Sequence, residues 1–182
     1  MTSKSLAAKA VHSPRYQMQA TTFPADFTSR SRRTAITSGT TTNDGNTING
    51  NDTVTVTGAL VTTGVNEGID TTGGTNTVSV SEAGSIETAG DFAYGILNTG
   101  DSNKSTMFGS ITTTGDTAHG IYNFGDSNEA TVSGDITTAG VRSDGVLAEG
   151  NENATTLSGT IATEGNFSIG INNTGNSNTT DV

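Results

Sequence analysis

Glycine recurs in this chain at a fixed interval. The stretch "GSITTTGDTAHGIYNFGDSNEATVS", residues 109–133, carries it at Gly109, Gly115, Gly120 and Gly125. The next stretch, "GDITTAGVRSDGVLAEGNENATTLS", carries it at Gly134, Gly140, Gly145 and Gly150, each 25 positions further on. Glycine every five or six residues costs a helix about 1 kcal/mol each time, whereas the intervening Thr, Val and Ile favour strands. A self-similar period of this length marks a stacked array, in which each unit buries its apolar row only against its neighbours.

Four units align without a gap, at 84–108, 109–133, 134–158 and 159–182. Residues 58–83 are the same unit with small indels, and 35–57 are a more worn copy, which gives about six coils over 34–182. Each unit offers three short strands with period-2 alternation. The first puts Ile86, Ile111, Ile136 and Ile161 in one column, with Thr88, Thr113, Thr138 and Thr163 two places on and on the same side. The second column is Ile96, Ile121, Val146 and Ile171, and the third is Met107, Val132, Leu157 and Val182. Three inward columns per coil predict an all-β fold, a parallel β-helix (β-solenoid). Right-handedness is the expectation from the strong bias of β crossovers. The glycines belong at corners, where φ is positive or one coil approaches the next closely. Asn103, Asn128, Asn153 and Asn178 form a further unbroken column, expected to hydrogen-bond through their amides from coil to coil.

Composition alone would mislead. Leu, Ile, Val and Phe supply only 33 of 182 residues and the net charge is −10, which is the signature of disorder. The repeat overrides it, because a core one or two side chains wide needs few large residues. Six of the eight basic residues (Lys4, Lys9, Arg15, Arg30, Arg32, Arg33) lie in residues 1–33, which read as a disordered Ser/Ala/Arg-rich leader. This leader lacks the apolar core of a Sec signal, although its bias is faintly like that of an organellar transit peptide. Residues 34–182 then hold 17 acids against Lys104 and Arg142, a net of −15, a field that repels nucleic acid and anionic lipid. With no cysteine there is no disulfide framework, and no apolar run is long enough for a membrane-spanning helix.

Chemistry is hard to place on these units. His119 falls in an outward column with Tyr94, Asp144 and Ile169 and reads as an isolated surface histidine, and His12 lies in the leader. Asp91 stacks over Asp116 and Asp101 over Asp126, pairs that backbone carbonyls could complete into a Ca²⁺ site. Neither column continues as Asp, since Val141 and Asn166, then Asn151 and Asn176, follow. A polysaccharide lyase or hydrolase would need acids and a base converging on one face, and no aromatic sugar platform is visible along the chain. An ice-binding solenoid would need a flat outward threonine array, yet the unbroken Thr column reads as inward. No residue is therefore assigned a catalytic, cofactor-binding or metal-binding role, and no cofactor is expected.

The units "GSIETAGDFAYGILNTGDSNKSTMFG" and "GSITTTGDTAHGIYNFGDSNEATVSG" resemble the passenger repeats of bacterial autotransporters (type V secretion). In those repeats I-x-T-x-G-x-x-A-x-G-I alternates with G-x-x-N along a β-helix. The resemblance covers 58–182 well and 34–57 loosely. It implies a non-catalytic stalk or adhesion module at a bacterial cell surface or outer membrane, or secreted, that contacts a host or cell-surface receptor or a carbohydrate. A carbohydrate-active β-helix is the alternative, with an ice-binding solenoid behind it. The family also implies a Sec signal and a C-terminal β-barrel translocator, which this stretch of sequence does not display. A piece of a longer passenger, self-associating end to end, is the corresponding expectation.

Overall fold

The computed structural model describes residues 34–40 and 46–182; the leader assigned to 1–33 lies outside them. Strands β1 (Thr34–Thr40), β2 (Asn46–Asn49) and the long β3 (Thr53–Thr62) come first. Short strands then recur in threes. The first set is β4 (Ile69–Thr72), β5 (Thr77–Val80) and β6 (Ser85–Thr88), and the second is β7 (Ile96–Thr99), β8 (Lys104–Met107) and β9 (Ser110–Thr113). Next come β10 (Ile121–Phe124), β11 (Glu129–Val132) and β12 (Asp135–Thr138), then β13 (Val146–Glu149), β14 (Ala154–Leu157) and β15 (Thr160–Thr163). The last two are β16 (Ile171–Thr174) and β17 (Thr179–Asp181).

Every strand pair is parallel, and from β7 onward partners lie 25 residues apart, as Ile96 beside Ile121 beside Val146. The strands stack into three walls. The first wall runs from the second half of β3 through β6, β9, β12 and β15, and the third from the first half of β3 through β5, β8, β11, β14 and β17. The second wall is a separate sheet, β2-β4-β7-β10-β13-β16. The chain is thus an all-β parallel β-solenoid of about five turns of about 25 residues. The worn unit 35–57 accounts for the difference from six: it supplies β1, β2 and half of β3, and β1 lies along both halves of β3.

The three inward columns meet in one core, except that Val182, expected in the third, is exposed. Leu60, Ile86, Ile111 and Ile136 line the first wall, Ile69, Ile96, Ile121 and Val146 the second, and Val56, Val80, Met107 and Val132 the third, all buried. Thr88, Thr113 and Thr138 are buried as expected, and each hydroxyl donates to the carbonyl five residues on, in Ala93, Ala118 and Ser143. That bond closes the corner between the first and second walls.

Glycine at the corners answers two needs. A Cβ on Gly115 would lie 1.9 Å from the carbonyl oxygen of Gly90 in the preceding coil, a clash that only glycine avoids. Gly125 has φ +139, open to glycine at little cost. Gly50, Gly64 and Gly73 take left-handed φ of 60, 82 and 87°, but one left-handed corner column holds no glycine. Phe92, Thr117, Arg142 and Phe167 recur every 25 residues with φ of 60, 54, 57 and 62°. Their N–H groups are engaged from coil to coil: those of Phe92, Thr117 and Arg142 donate to the carbonyls of Asp116, Val141 and Asn166, each at 2.9 Å. A side chain in this conformation costs about 1–2 kcal/mol, which the repeated ladder offsets.

The asparagine column shows the expected amide-to-amide bond at one step, Asn76 Nδ2 to Asn103 Oδ1 at 3.0 Å, and otherwise works through the backbone. The backbone N–H of Asn103 donates to Oδ1 of Asn128 (2.8 Å), and Asn128 does the same to Asn153 and Asn153 to Asn178. The side chain therefore caps backbone in the neighbouring coil, and the Nδ2 groups of Asn103, Asn153 and Asn178 turn to glycine carbonyls. Amide-to-amide bonding also occurs in a column the sequence did not single out. Asn98 Nδ2 donates to Asn123 Oδ1 at 2.7 Å and to Ser105 Oγ at 2.8 Å, wholly inside the core.

Candidate functional site

The outer face of the second wall differs from the rest of the surface. Three outward columns cross it: Glu67, Tyr94, His119, Asp144 and Ile169; Asp70, Leu97, Tyr122, Leu147 and Asn172; and Thr72, Thr99, Phe124, Glu149 and Thr174. Strand register alone brings Tyr94, His119, Tyr122 and Phe124 together. Tyr94 and His119 stack with ring centroids 5.4 Å apart and planes 8° from parallel. Tyr122 meets Tyr94 and His119 edge-on at 5.2 and 5.6 Å, and Phe124 leans on Tyr122 at 6.1 Å. Such contacts add about 0.5–1.5 kcal/mol per pair beyond area burial. Phe124 remains 52% exposed, so the cluster presents an aromatic surface to solvent.

His119 is not the surface residue its column suggested. It is 6% exposed, covered by the two tyrosines. Its Nδ1 accepts the N–H of Asp144 at 2.9 Å, so the neutral ring carries its proton on Nε2. Burial pulls its pKa below the usual imidazole range, against the opposing pull of Asp144 and Glu149. Asp144, 5% exposed, is fully engaged: Oδ1 accepts the N–H of Ile169 at 2.7 Å and Oδ2 the side-chain amide of Asn172 at 2.9 Å. One column thus uses imidazole and carboxylate alike to cap the next coil.

Carboxylates flank the rings. The Tyr122 hydroxyl donates to Glu149 Oε2 at 2.6 Å, a charge-assisted bond that fixes both groups. Burial and that bond hold the Tyr122 phenol far above its usual value, and burial followed by Glu67 and Glu149 raises Tyr94. At the other end Asp70 lies directly beside Leu97 in strand register. Its pKa is raised by burial and by Glu67, and a hydrogen bond from Thr47 opposes the rise. Among the described residues, no lysine or arginine pairs with Glu67, Asp70, Asp144 or Glu149; Lys104 pairs with Glu129 on the third wall at 2.9 Å.

The stacked corner acids serve the backbone. Asp91 Oδ1 accepts the N–H of Asp116 at 3.0 Å and Asp116 Oδ1 that of Val141 at 2.8 Å. Asp101 likewise accepts from Asp126 at 2.9 Å, and Asp126 from Asn151 at 2.7 Å. Each carboxylate substitutes for a missing backbone acceptor where the chain turns, so pairs at coil spacing follow from corner geometry. Among the described residues no group of three or more His, Asp or Glu is arranged around a metal position.

No aromatic platform is legible in the sequence because no column is aromatic throughout; the fold builds one by registering three different columns. Two of the three tyrosines of the whole chain fall within it. Asking which outward columns depart from Ser, Thr and Asn would have exposed the signal. The molecule these features define is a parallel β-solenoid with one aromatic, acid-flanked wall. Compared with known proteins, the chain matches no family model, no curated protein and no solved structure.

Proposed function

We propose that this chain is a non-catalytic adhesion module, displayed on a bacterial surface or secreted, that holds a saccharide on the outer face of the second wall. The observation that carries this reading is the joined ring cluster of Tyr94, Tyr122 and Phe124 on one wall, where rings touch rings, whereas the exposed Phe92, Phe108 and Phe167 lie outside it. Aromatic faces attract the apolar face of a sugar ring, while the neighbouring carboxylate, phenol and amide groups supply acceptors and donors for its hydroxyls. A stack of parallel strands is a stiff support for such a face. The passenger-like repeats over 58–182 supply the surface setting, with the solenoid as the stalk.

Phe124→Ala is the apt test, since this side chain is half exposed and its removal leaves the core alone. The wild-type protein should be retained on one or more immobilised polysaccharides, and Phe124→Ala should weaken that retention at unchanged melting temperature. Absence of retention on every saccharide in a broad array would overturn the reading. The same ring-and-carboxylate face favours a carbohydrate-active enzyme as the second reading. Release of new reducing ends from a retained polysaccharide would establish it in place of simple adhesion.

A further inference from the structure

Charge narrows the ligand. Glu67 and Asp70 lie on the coil preceding Tyr94 and Leu97, while Asp144 and Glu149 lie on the coil beyond His119 and Tyr122. Four carboxylates therefore bracket one aromatic patch along the solenoid axis. Asp144 has both oxygens occupied by Ile169 and Asn172, and Glu149 has one oxygen on Tyr122. Glu67 supplies the least engaged negative charge, and Asp70, which accepts one bond from Thr47, lies close enough that Glu67 raises both its pKa and that of the Tyr94 phenol. No described lysine or arginine neutralises the patch, and residues 34–182 carry 17 acids against two bases. An anionic sugar would meet repulsion from every side, and a neutral sugar would leave the carboxylates without a counter-charge. A ligand with an apolar ring face and a positive rim complements both parts, through stacking and cation–π attraction on the tyrosines and ion pairing with the acids.

We infer that the second wall recognises a saccharide bearing protonated amino groups, of the glucosamine-polymer class, with Glu67 and Asp70 as the residues that select for the charge. This rests on the saccharide-binding reading of the same face. The test compares three oligosaccharides of equal length on the intact protein: β-1,4-linked glucosamine, its N-acetylated counterpart, and a uronic acid oligomer. The glucosamine oligomer should bind at least about tenfold more tightly than the N-acetylated one at low ionic strength, and that margin should shrink at about 0.5 M salt as the ion pairs are screened. The uronate should not bind. Glu67→Gln with Asp70→Asn should erase the margin, chiefly through loss of glucosamine affinity. Equal affinity for the amino and N-acetyl sugars would overturn the inference and leave saccharide binding standing, whereas binding of none would remove the functional reading itself. A margin that survives both Tyr94→Ala and Phe124→Ala would also overturn it, because the general acidity of the rod would then be holding the cation. So would binding of a lysine homopeptide in place of any sugar.

Discussion

The second and third walls share one interior and present opposite exteriors. Behind both stand buried aliphatic columns, Ile96, Ile121 and Val146 in one and Val80, Met107 and Val132 in the other. On the outside, the third wall shows a rank of small hydroxyls, Thr55, Ser79, Thr106, Thr131 and Thr156, with Lys104 and Glu129 paired beside it. The second wall shows stacked rings between carboxylates. Stacking fixes what a coil places inside and leaves outward positions free. Ring packing on the second wall is therefore a departure that the solenoid does not require, and this is where a binding role is read.

The comparison depends first on the shared interior. Ile111→Ala, in the middle of the stack, should cost about 2–5 kcal/mol, read by denaturant unfolding, and should loosen both walls together. Loss of structure in one wall alone would mean that the walls have separate cores. A smaller effect comes from the inner polar column. Asn123 Nδ2 and Thr155 Oγ1 are buried without partners, because the position between coils is occupied by Ala148, wholly buried and with no polar group. Neighbouring coils carry Asn98, Asn123 and Asn173 at this position. Ala148→Asn should continue the ladder and stabilise the fold by about 1–2 kcal/mol; destabilisation would show that the interior has no room for the amide.

Acid should separate the walls by a smaller margin. Because burial lowers the His119 pKa, the unfolded chain binds a proton between that lowered value and about 6.5 while the folded chain does not. Stability from this group is therefore complete above about 6.5 and declines as pH falls toward the folded value. Asp70, whose pKa is raised, has the opposite sign: the fold holds its proton longer, so its contribution is present in acid and lost as pH rises through the carboxylate range. His119→Gln should flatten the stability profile between about pH 7 and 5; an unchanged slope would mean that the ring is solvated. The smallest effect belongs to the third wall, where Thr131→Ala should shift stability by no more than about 0.5 kcal/mol.

The interior was legible because its signals add across coils. Ile86, Ile111 and Ile136 repeat at one position, and Thr88, Thr113 and Thr138 follow two places on, so each coil confirms the last. The left-handed corners were not legible, since Phe92, Thr117, Arg142 and Phe167 share a backbone state but no side-chain chemistry. The ring cluster escaped for a related reason. Tyr94, His119, Tyr122 and Phe124 occupy three columns, none of which is aromatic throughout, and they meet only once the register is set. His119 looked exposed because its column faces outward; burial came from tyrosines in its own and the preceding coil.

The most direct measurement is a paired affinity determination on whichever saccharide retains the wild-type protein. One variant strips the second wall, Tyr94→Ala with Phe124→Ala, and the other strips the third, Thr106→Ala with Thr131→Ala. Both are checked for an unchanged β-type circular dichroism spectrum. The account predicts that the first loses about tenfold or more in affinity, or about 1.4 kcal/mol, and that the second binds as the wild type does. Equal losses in the two variants, or a loss confined to the third wall, would contradict it.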